Sequence, residues 1–383
     1  MGEVVERITR KNENLESTLP LTISAQYGLI NQNEFFDKRI ASKDVSGYFL
    51  VRNGEFAYNK STSSDAPWGA IKRLDRYESG VLSTLYIVFK ISDERKTSSD
   101  YIVTYYNTDL WHKGIQAIAA EGARNHGLLN VAPADFFETN LTMPKDYAEQ
   151  QQIGSFFQQL DHLITLHQRK FEKLTNVKKS MLEKMFPQNG SSYPEIRFKG
   201  FTDPWEQRKL SEITDKVTEK NAGLQYVETF TNSAEFGIIS QRDFFDHDIA
   251  KLGSLDGYYI VKNEDFVYNP RISTSAPVGP INRNKLGRTG VMSPLYTVFR
   301  PHDIDTTYLE YFFKCGYWHS FMNFNGDSGA RSDRFSIRDN VFFQMPIPIP
   351  DIDEQRKIGE LLTCLDNLIT LHQRKGKAAV SGC

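Results

Sequence analysis

The chain repeats itself, and this internal duplication restricts its possible folds more than any other feature. Residues 24–37 (SAQYGLINQNEFFD) match residues 233–246 (SAEFGIISQRDFFD) at eight of fourteen positions. The octapeptide LITLHQRK stands at 163–170 and returns unchanged at 368–375, which is 205 residues later. That period is far longer than the roughly 20–50 residues of a solenoid repeat. The sequence therefore predicts two copies of one unit, each a globular domain followed by a helix.

The globular part of each copy has the pattern of a mixed α/β domain. Short runs such as GYFLVR and LYIVFK are rich in β-branched and aromatic residues and are bounded by Gly, Asn or Ser, as strands usually are. Asn53-Gly54 between two such runs indicates a hairpin, whereas 109–120 and 308–321 have helical spacing. The expected fold class is α+β, with two homologous mixed α/β domains at 1–147 and 201–351.

A heptad seam follows the first domain. Apolar residues recur in alternating steps of four and three up to Met185, which is typical of a coiled-coil helix, and Pro187 ends the pattern. This predicts a central helix at 148–187, a linker at 188–200, and a shorter distal helix with a tail at 352–383. The two helices should pair as an antiparallel coiled coil and form the interface for partners. Their seam residues are Ile153, Phe157, Leu160, Ile164, His167, Phe171 and Leu174 in the first helix, and Ile358, Leu362, Leu365, Ile369 and His372 in the second.

The unequal lengths of the two helices lead to a further expectation. Leu160 and Ile164 should pack against Ile369 and Leu365, and the repeat stops after Lys375. The end of the first seam is then predicted to lack a partner within the chain and to bind another protein chain. Its residues are Leu174, Met181 and Met185.

Composition narrows the function classes. The formal net charge is −2 and the pI is about 6.5, whereas simple DNA-binding modules are usually basic. DNA binding would therefore have to use local patches of positive charge. No apolar run is long enough to span a membrane, and the N-terminus lacks the apolar stretch of a secretory signal. The three cysteines have neither metal nor disulfide spacing. These features predict a cytoplasmic protein without membrane contact.

The motifs of three enzyme classes are missing from the sequence. An adenine methyltransferase needs a DPPY-like loop, and the nearest approach, Asn269-Pro270-Arg271-Ile272, lacks the second proline and the aromatic residue. No GxxxxGKS or GxxxxGKT loop for ATP is present. Glu94 and Lys96 resemble a nuclease motif, but they lie in a polar run that the second copy does not repeat. His167 and His372 lack further ligands at metal spacing, which favours a packing role. We therefore expect no catalytic residue and no metal site.

Three segments together resemble one protein family. LDHLITLHQRK and LDNLITLHQRK at the ends of the two copies, and FKGFTDPWEQRKL between them, are similar to the specificity subunit of type I restriction–modification enzymes. The resemblance covers nearly the whole chain. It implies two target-recognition domains that each read one half of a split sequence in double-stranded DNA. It also implies two modification subunits, which carry S-adenosylmethionine and methylate adenine, and restriction subunits, which use ATP and Mg²⁺. The chain itself would then hold no cofactor.

Basic residues at corresponding places of the two copies are the main candidate DNA contacts, since arginine can contact guanine or phosphate through two hydrogen bonds. Residues that both copies share, such as Arg73 and Arg283, are expected to contact the DNA backbone or to stabilise the fold. Residues that differ, such as Ser61 against Arg271, are expected to read bases. The candidate DNA-binding residues are Lys60, Arg73, Arg76, Arg124, Asn125, His126, Arg271, Arg283, Arg288, Arg331, Ser332 and Arg334.

The chain differs from the family pattern at two places. The segment 200–210 has no counterpart before residue 1, and the distal helix runs into an unrelated tail. The alternative prediction is a shortened or rearranged allele that acts only as a protein-interaction product without a working complex. Co-elution with modification subunits and methylation of DNA would separate the two predictions.

Overall fold

The computed structural model of the chain describes residues 1–24, 27–38, 40–119, 127–188, 190–245, 252–327 and 333–381, with the backbone alone for 252–254 and 376–381. The chain divides into two compact units, Met1–Thr165 and Leu166–Cys383.

Strands and short helices precede one long helix in the first unit. The strands are β1 (Val5–Ile8), β2 (Leu21–Ser24), β3 (Gly28–Asn31), β4 (Phe49–Arg52), β5 (Phe56–Asn59), β6 (Ala70–Arg73), β7 (Ser79–Leu82) and β8 (Ile87–Ile91). The helices are α1 (Gln32–Phe36), α2 (Ser99–Tyr106), α3 (His112–Ile118), α4 (Pro133–Glu138) and the long α5 (Tyr147–Lys184), which continues into the second unit.

An antiparallel sheet in the order β1-β8-β5-β6 organises the first unit, with β2-β3 and β4-β7 as further strand pairs. Because successive side chains of a strand point to opposite faces, the sheet has an apolar core on each side. Phe56, Tyr58 and Phe89 lie in the core that includes residues of α2, α3 and α4. Ala57 and Val88 lie in the core formed with the two strand pairs.

The second unit has the same succession of elements. Its strands are β9 (Glu206–Lys209), β10 (Thr214–Lys216), β11 (Phe230–Ser233), β12 (Gly237–Ser240), β13 (Tyr259–Val261), β14 (Phe266–Tyr268), β15 (Ile281–Arg283), β16 (Gly290–Met292), β17 (Thr297–Pro301) and β18 (Pro346–Ile349). Its helices are α6 (Gln241–Phe245), α7 (Thr306–Cys315), α8 (Trp318–Asn325), α9 (Asp339–Phe342) and α10 (Ile352–Ser381), with 3-10 helices at Leu210–Glu212 and Leu252–Gly257.

The sheet of the second unit repeats the topology of the first. Its order is β10-β17-β14-β15, with the pairs β11-β12 and β13-β16, and β9 pairs with β18 in addition. The register also agrees, since Phe56 lies opposite Phe89 and Phe266 lies opposite Phe299. The predicted α+β fold with two homologous mixed domains is therefore confirmed.

One glycine in each copy is required by a close backbone approach. Gly69 and Gly279 have φ angles of 80° and 85°, in the left-handed region that favours glycine. A Cβ at Gly279 would lie 2.1 Å from the carbonyl oxygen of Asn269, and the first copy has the equivalent crowding at 2.2 Å. The turn places a backbone carbonyl where the hydroxyl of Tyr268 donates to it at 2.9 Å, and Tyr58 does the same in the first unit.

The seam positions of the two long helices are less exposed than the positions between them. All seam residues of α10, and all those predicted for α5 except Phe157, are at least partly buried. Within the second unit, Nδ1 of His167 lies 2.9 Å from Nδ1 of His372, and Lys178 forms a 2.5 Å ion pair with Asp366. Residue numbers rise along α5 as they fall along α10, so the helices are antiparallel, as expected.

The end of the α5 seam has a partner within the chain, so the prediction that it lacks one is wrong. Leu174 and Met181 pack against the core that contains Leu362, and Met185 is itself part of that core. The reason is the helix register. His372 lies beside His167, which is roughly three turns further along α5 than the predicted pairing would place it. The short α10 therefore covers the later part of α5.

A glutamine at the start of each long helix joins that helix to the domain before it. The Oε1 atom of Gln150 accepts from the N–H of Ser98 at 2.9 Å, and its amide donates to the carbonyl of Pro144 at 2.8 Å. Gln355 makes the same two contacts in the second copy, both at 2.9 Å. Gly154 lies so close to α2 that a Cβ there would be 2.7 Å from its backbone. These contacts fix the direction in which the helix leaves the domain.

The second unit has a buried ion pair at the same joint. The carboxylate of Glu354 accepts from the guanidinium of Arg197 at 2.8 and 2.9 Å and from the indole of Trp205 at 3.2 Å. The Glu354 side chain is 1% exposed. Its counterpart in the first copy, Glu149, is exposed. The same sequence position is thus a buried charge in one copy and a solvated charge in the other.

Candidate nucleic-acid interface

An open cleft of about 760 Å³ lies in the second unit. It is lined by residues of the hairpin β11-β12, by helix α6 and by the segment that follows β14. A hollow of about 420 Å³ adjoins it and shares Pro270, Leu295, Tyr296 and Arg334. Together they form a concave surface of polar side chains, aromatic rings and arginines.

Two arginines face each other across a backbone bridge in this cleft. Arg271 and Arg334 form an isolated antiparallel bridge, and the N–H of Phe335 donates to the carbonyl of Pro270 at 2.7 Å. Both arginines are exposed, and within the described ranges neither guanidinium has a hydrogen-bond or ion-pair partner. Like charges placed opposite each other on paired strands destabilise the pairing. A bound anion would remove that cost, and the fork of a guanidinium matches phosphate or the edge of guanine.

The first unit has the same bridge with different side chains. Ser61 pairs with Leu128, and the N–H of Leu129 donates to the carbonyl of Lys60 at 2.9 Å. The first unit therefore places a hydroxyl and an aliphatic side chain where the second unit has two cations. The structural match also pairs Arg334 with Leu128, one residue further than the sequence repeat suggested. The two units thus place chemically different side chains on the same backbone bridge.

Arg73 and Arg283 use their charges inside the fold. Arg73 forms ion pairs with Asp75 at 2.6 Å and with Asp100 at 2.7 Å. Burial lowers the pKa of Arg73, but these two carboxylates more than offset it, so its pKa lies above the ordinary value. Arg283 is 8% exposed and contacts Glu310 at 2.6 Å. Both arginines connect the last strand of the sheet order to the helix that follows it, α2 or α7.

Three other predicted residues differ in how freely they could meet a ligand. Lys60 donates to the carbonyl of Val131 at 3.5 Å, and burial lowers its pKa. Arg288 is bound by Glu228 through two hydrogen bonds of 2.7 and 2.8 Å. Arg76 is exposed and has no ion-pair partner among the described residues. The remaining predicted DNA contacts lie outside the described residues: Arg124, Asn125, His126, Arg331 and Ser332.

A set of amides, which the sequence reasoning missed, fixes the hairpin wall of the cleft. The buried Asn232 donates to the carbonyl of Val267 at 2.7 Å, and its Oδ1 accepts from Asn282 at 2.7 Å. Asn269 donates to the carbonyl of Asn232 at 2.8 Å. The first copy has Ile23 at the equivalent position, where it is part of an apolar core. This exchange of an isoleucine for an asparagine was the available signal.

An exposed aromatic cluster on the same wall was also missed. Phe236, at the tip of the β11-β12 hairpin, is 6.2 Å from Phe244 between ring centroids, and Phe244 is 4.6 Å from Phe245. These three side chains are 37–59% exposed. The first copy has aromatic residues at the equivalent positions, Tyr27, Phe35 and Phe36, at 41–51% exposure, and the rings of Phe35 and Phe36 lie 4.9 Å apart between centroids. The paired FF in EFFD and DFFD was the signal, since a one-turn surface helix cannot bury both rings.

The described part of the chain has neither a candidate metal site nor a candidate membrane-spanning helix. No group of three or more His, Cys, Asp or Glu side chains there could hold a metal ion. No helix in that part combines the length and apolar character needed to cross a membrane.

The chain is similar to subunits of type I restriction–modification systems. Residues 202–380 match the family model of the type I restriction modification DNA specificity domain. The MjaVIII type I restriction enzyme specificity subunit of Methanocaldococcus jannaschii is 23% identical over 310 residues, covering 77% of this chain and 70% of that subunit. The type I restriction–modification S subunit of M. genitalium matches 99% of this chain and 91% of its own, with 11% identity and a TM-score of 0.53. The HsdS subunit of Thermoanaerobacter tengcongensis matches 99% and 92%, with 15% identity and a TM-score of 0.43.

Proposed function

We propose that the chain is a specificity subunit of a type I restriction–modification system, since residues 202–380 match the DNA specificity domain of such systems, and that it reads a bipartite target in double-stranded DNA. Each of its two units contacts one short block of bases, and the bases between the blocks are not read. The chain thereby directs adenine methylation and restriction that partner subunits carry out.

The observation that carries this proposal is the backbone bridge present in both units. It has Ser61 and Leu128 in the first unit and Arg271 and Arg334 in the second. A bridge that is kept while its side chains change suits two readers of different base sequences. The two arginines favour guanine or phosphate in the second block, whereas Ser61 and Leu128 do not.

The partners follow from the same proposal. Two modification subunits would supply S-adenosylmethionine, and restriction subunits would supply ATP and Mg²⁺, because the described residues include no cluster that could hold a metal. Within the second unit, α10 and the later part of α5 offer exposed apolar side chains for such subunits, including Leu166, Leu368 and Leu371. Since the target is chromosomal or invading DNA, the protein would work in the cytoplasm.

The test gives the second unit the bridge residues of the first. Target sequences are selected from random DNA with the parent, with the variant Arg271→Ser/Arg334→Leu, and with Arg288→Ala, whose guanidinium is occupied by Glu228. We expect the parent to select two separated blocks. The double variant should alter the second block alone and lose about 1–3 kcal/mol of discrimination per arginine–base contact.

The Arg288→Ala control should select the parental target. A single uninterrupted motif, or a change in both blocks with the double variant, would refute the proposal. A chain that co-elutes with modification subunits but supports no methylation would favour the alternative of a protein-interaction product.

A further inference from the structure

We propose that the exposed aromatic cluster of each unit stacks on DNA bases next to the block which that unit reads, and partly unstacks a base step there. In the second unit the cluster is Phe236, Phe244 and Phe245, and in the first it is Tyr27, Phe35 and Phe36. This inference rests on the proposed DNA-binding function, because it names what one part of the same cleft does.

The aromatic side chains are exposed, and the fold does not require apolar residues at these positions. The rings of Phe244 and Phe245 are edge-to-face and point out of a helix of five residues. Phe236 extends the cluster to the hairpin tip, at 59% exposure. Exposed apolar patches in soluble proteins commonly mark binding surfaces. Two copies of one unit both keep this patch, although neither uses it in its core.

The positive charge of the cleft also points to DNA as the ligand. Phe244 and Phe245 line the same cleft as Arg271, whose exposed guanidinium has no partner among the described residues. The occupant must therefore combine flat apolar faces with negative charge. DNA has both, as stacked bases and as phosphates, and phenylalanine is one of the residues that proteins insert between base steps.

The two units share the aromatic cluster but differ in their bridge residues. The aromatic cluster is the same type of surface in both, whereas the bridge changes from Ser61 and Leu128 to two arginines. Stacking tolerates any base because every base has a π-face. Hydrogen bonds to base edges discriminate between bases. A shared stacking surface beside a variable hydrogen-bonding pair is the division expected of two units that bind the same polymer at different sequences.

The hairpin that carries Phe236 is held firmly enough for such a role. Asn232 ties it to β14, and Asn282 and Asn269 tie it to the neighbouring segments. A side chain that separates stacked bases must resist the restoring force of the stack. Three amide hydrogen bonds of 2.7–2.8 Å at the base of the hairpin provide that support.

The test uses the full chain and duplexes of its selected target with 2-aminopurine next to either the first or the second block. Fluorescence of this base rises when its stacking is disturbed, and anisotropy of a second dye on the same DNA reports affinity. The variants are Phe236→Ala/Phe244→Ala in the second unit and, as the matched control, Phe35→Ala in the first. All these side chains are exposed, so thermal unfolding should match that of the parent.

With the parent, we expect a rise in fluorescence at both positions. The second-unit variant should lose the rise beside the second block alone and should bind about tenfold more weakly. Phe35→Ala should do the reverse and affect the first block alone. Restoring bulk with Phe244→Leu should recover part of the affinity but not the full fluorescence change.

Two results would overturn the inference. One is an unchanged signal and affinity in the alanine variants while the parent binds DNA. The other is loss of co-elution with the modification subunit by variants that still bind DNA as the parent does, which would assign the cluster to a protein contact. A parent chain that fails to bind any DNA would instead refute the proposed function, and this inference with it.

Discussion

Replacing Glu354 by glutamine should destabilise the second unit far more than the same change at Glu149 in the first. The Glu354 carboxylate is buried and accepts hydrogen bonds from Nε and Nη2 of Arg197 and from the indole of Trp205. The Arg197 side chain is itself only 14% exposed. Removing one partner of a buried ion pair leaves the other charge uncompensated and costs about 3–5 kcal/mol.

The assay must separate the two units, because unfolding of a chain with two compact units need not be a single transition. Hydrogen exchange measured peptide by peptide does this. We expect Glu354→Gln to lower protection across α10 and the sheet of the second unit about 100-fold or more, with little change in the first unit. The matched variant Glu149→Gln removes an exposed charge and should stay within about 0.5 kcal/mol of the parent. A loss below about 1 kcal/mol for Glu354→Gln would refute the reasoning from burial.

Two further predictions concern the backbone and the helix pair. Gly279→Ala should cost at least about 1–3 kcal/mol in urea unfolding, because its Cβ would meet the Asn269 carbonyl at 2.1 Å, whereas Gly223→Ala, with open space around it, should cost less; equal losses would contradict this. Burial and the neighbouring His167 lower the pKa of His372 below 6.5, so the unfolded chain takes up that proton more readily. Stability of the second unit should therefore fall as the pH drops through 6.5, and His372→Gln should remove this part of the dependence; an identical pH profile for the variant would exclude it.

The fold class could be predicted because it depends on local periodicity and on the repeat. Strand runs, the heptad seam and the duplicated octapeptide each imply their structure without knowledge of distant contacts. The helix register could not be predicted in the same way. LITLHQRK is identical in both helices, so the seam alone permits several pairings. Packing of Leu174 and Met181 against the core of the second unit selects one of them.

The candidate site, like the fold, could be predicted only in part from the sequence. The sequence identifies which residues are basic, but a free arginine and a paired one look alike until distant carboxylates are placed. Arg73 is neutralised by Asp100 and Arg283 by Glu310, each from the helix after the sheet. Arg271 has no such partner within the described ranges. The value of an arginine as a DNA contact therefore depends on tertiary contacts that no spacing rule supplies.

The glutamine joint at the start of α5 and α10 has a consequence for how such a chain can change. The Gln150 side chain hydrogen-bonds to main-chain groups of its domain, the N–H of Ser98 and the carbonyls of Lys96 and Pro144, and Gln355 also bonds to main-chain groups. The attachment therefore does not depend on which side chains the domain has at those positions. The proposed DNA-binding surfaces can therefore change in sequence, or whole domains can be exchanged between chains, without loss of the hydrogen bonds that join the helix to the domain. Each long helix is thus joined to its domain by hydrogen bonds that need a glutamine on the helix but no particular side chain on the domain.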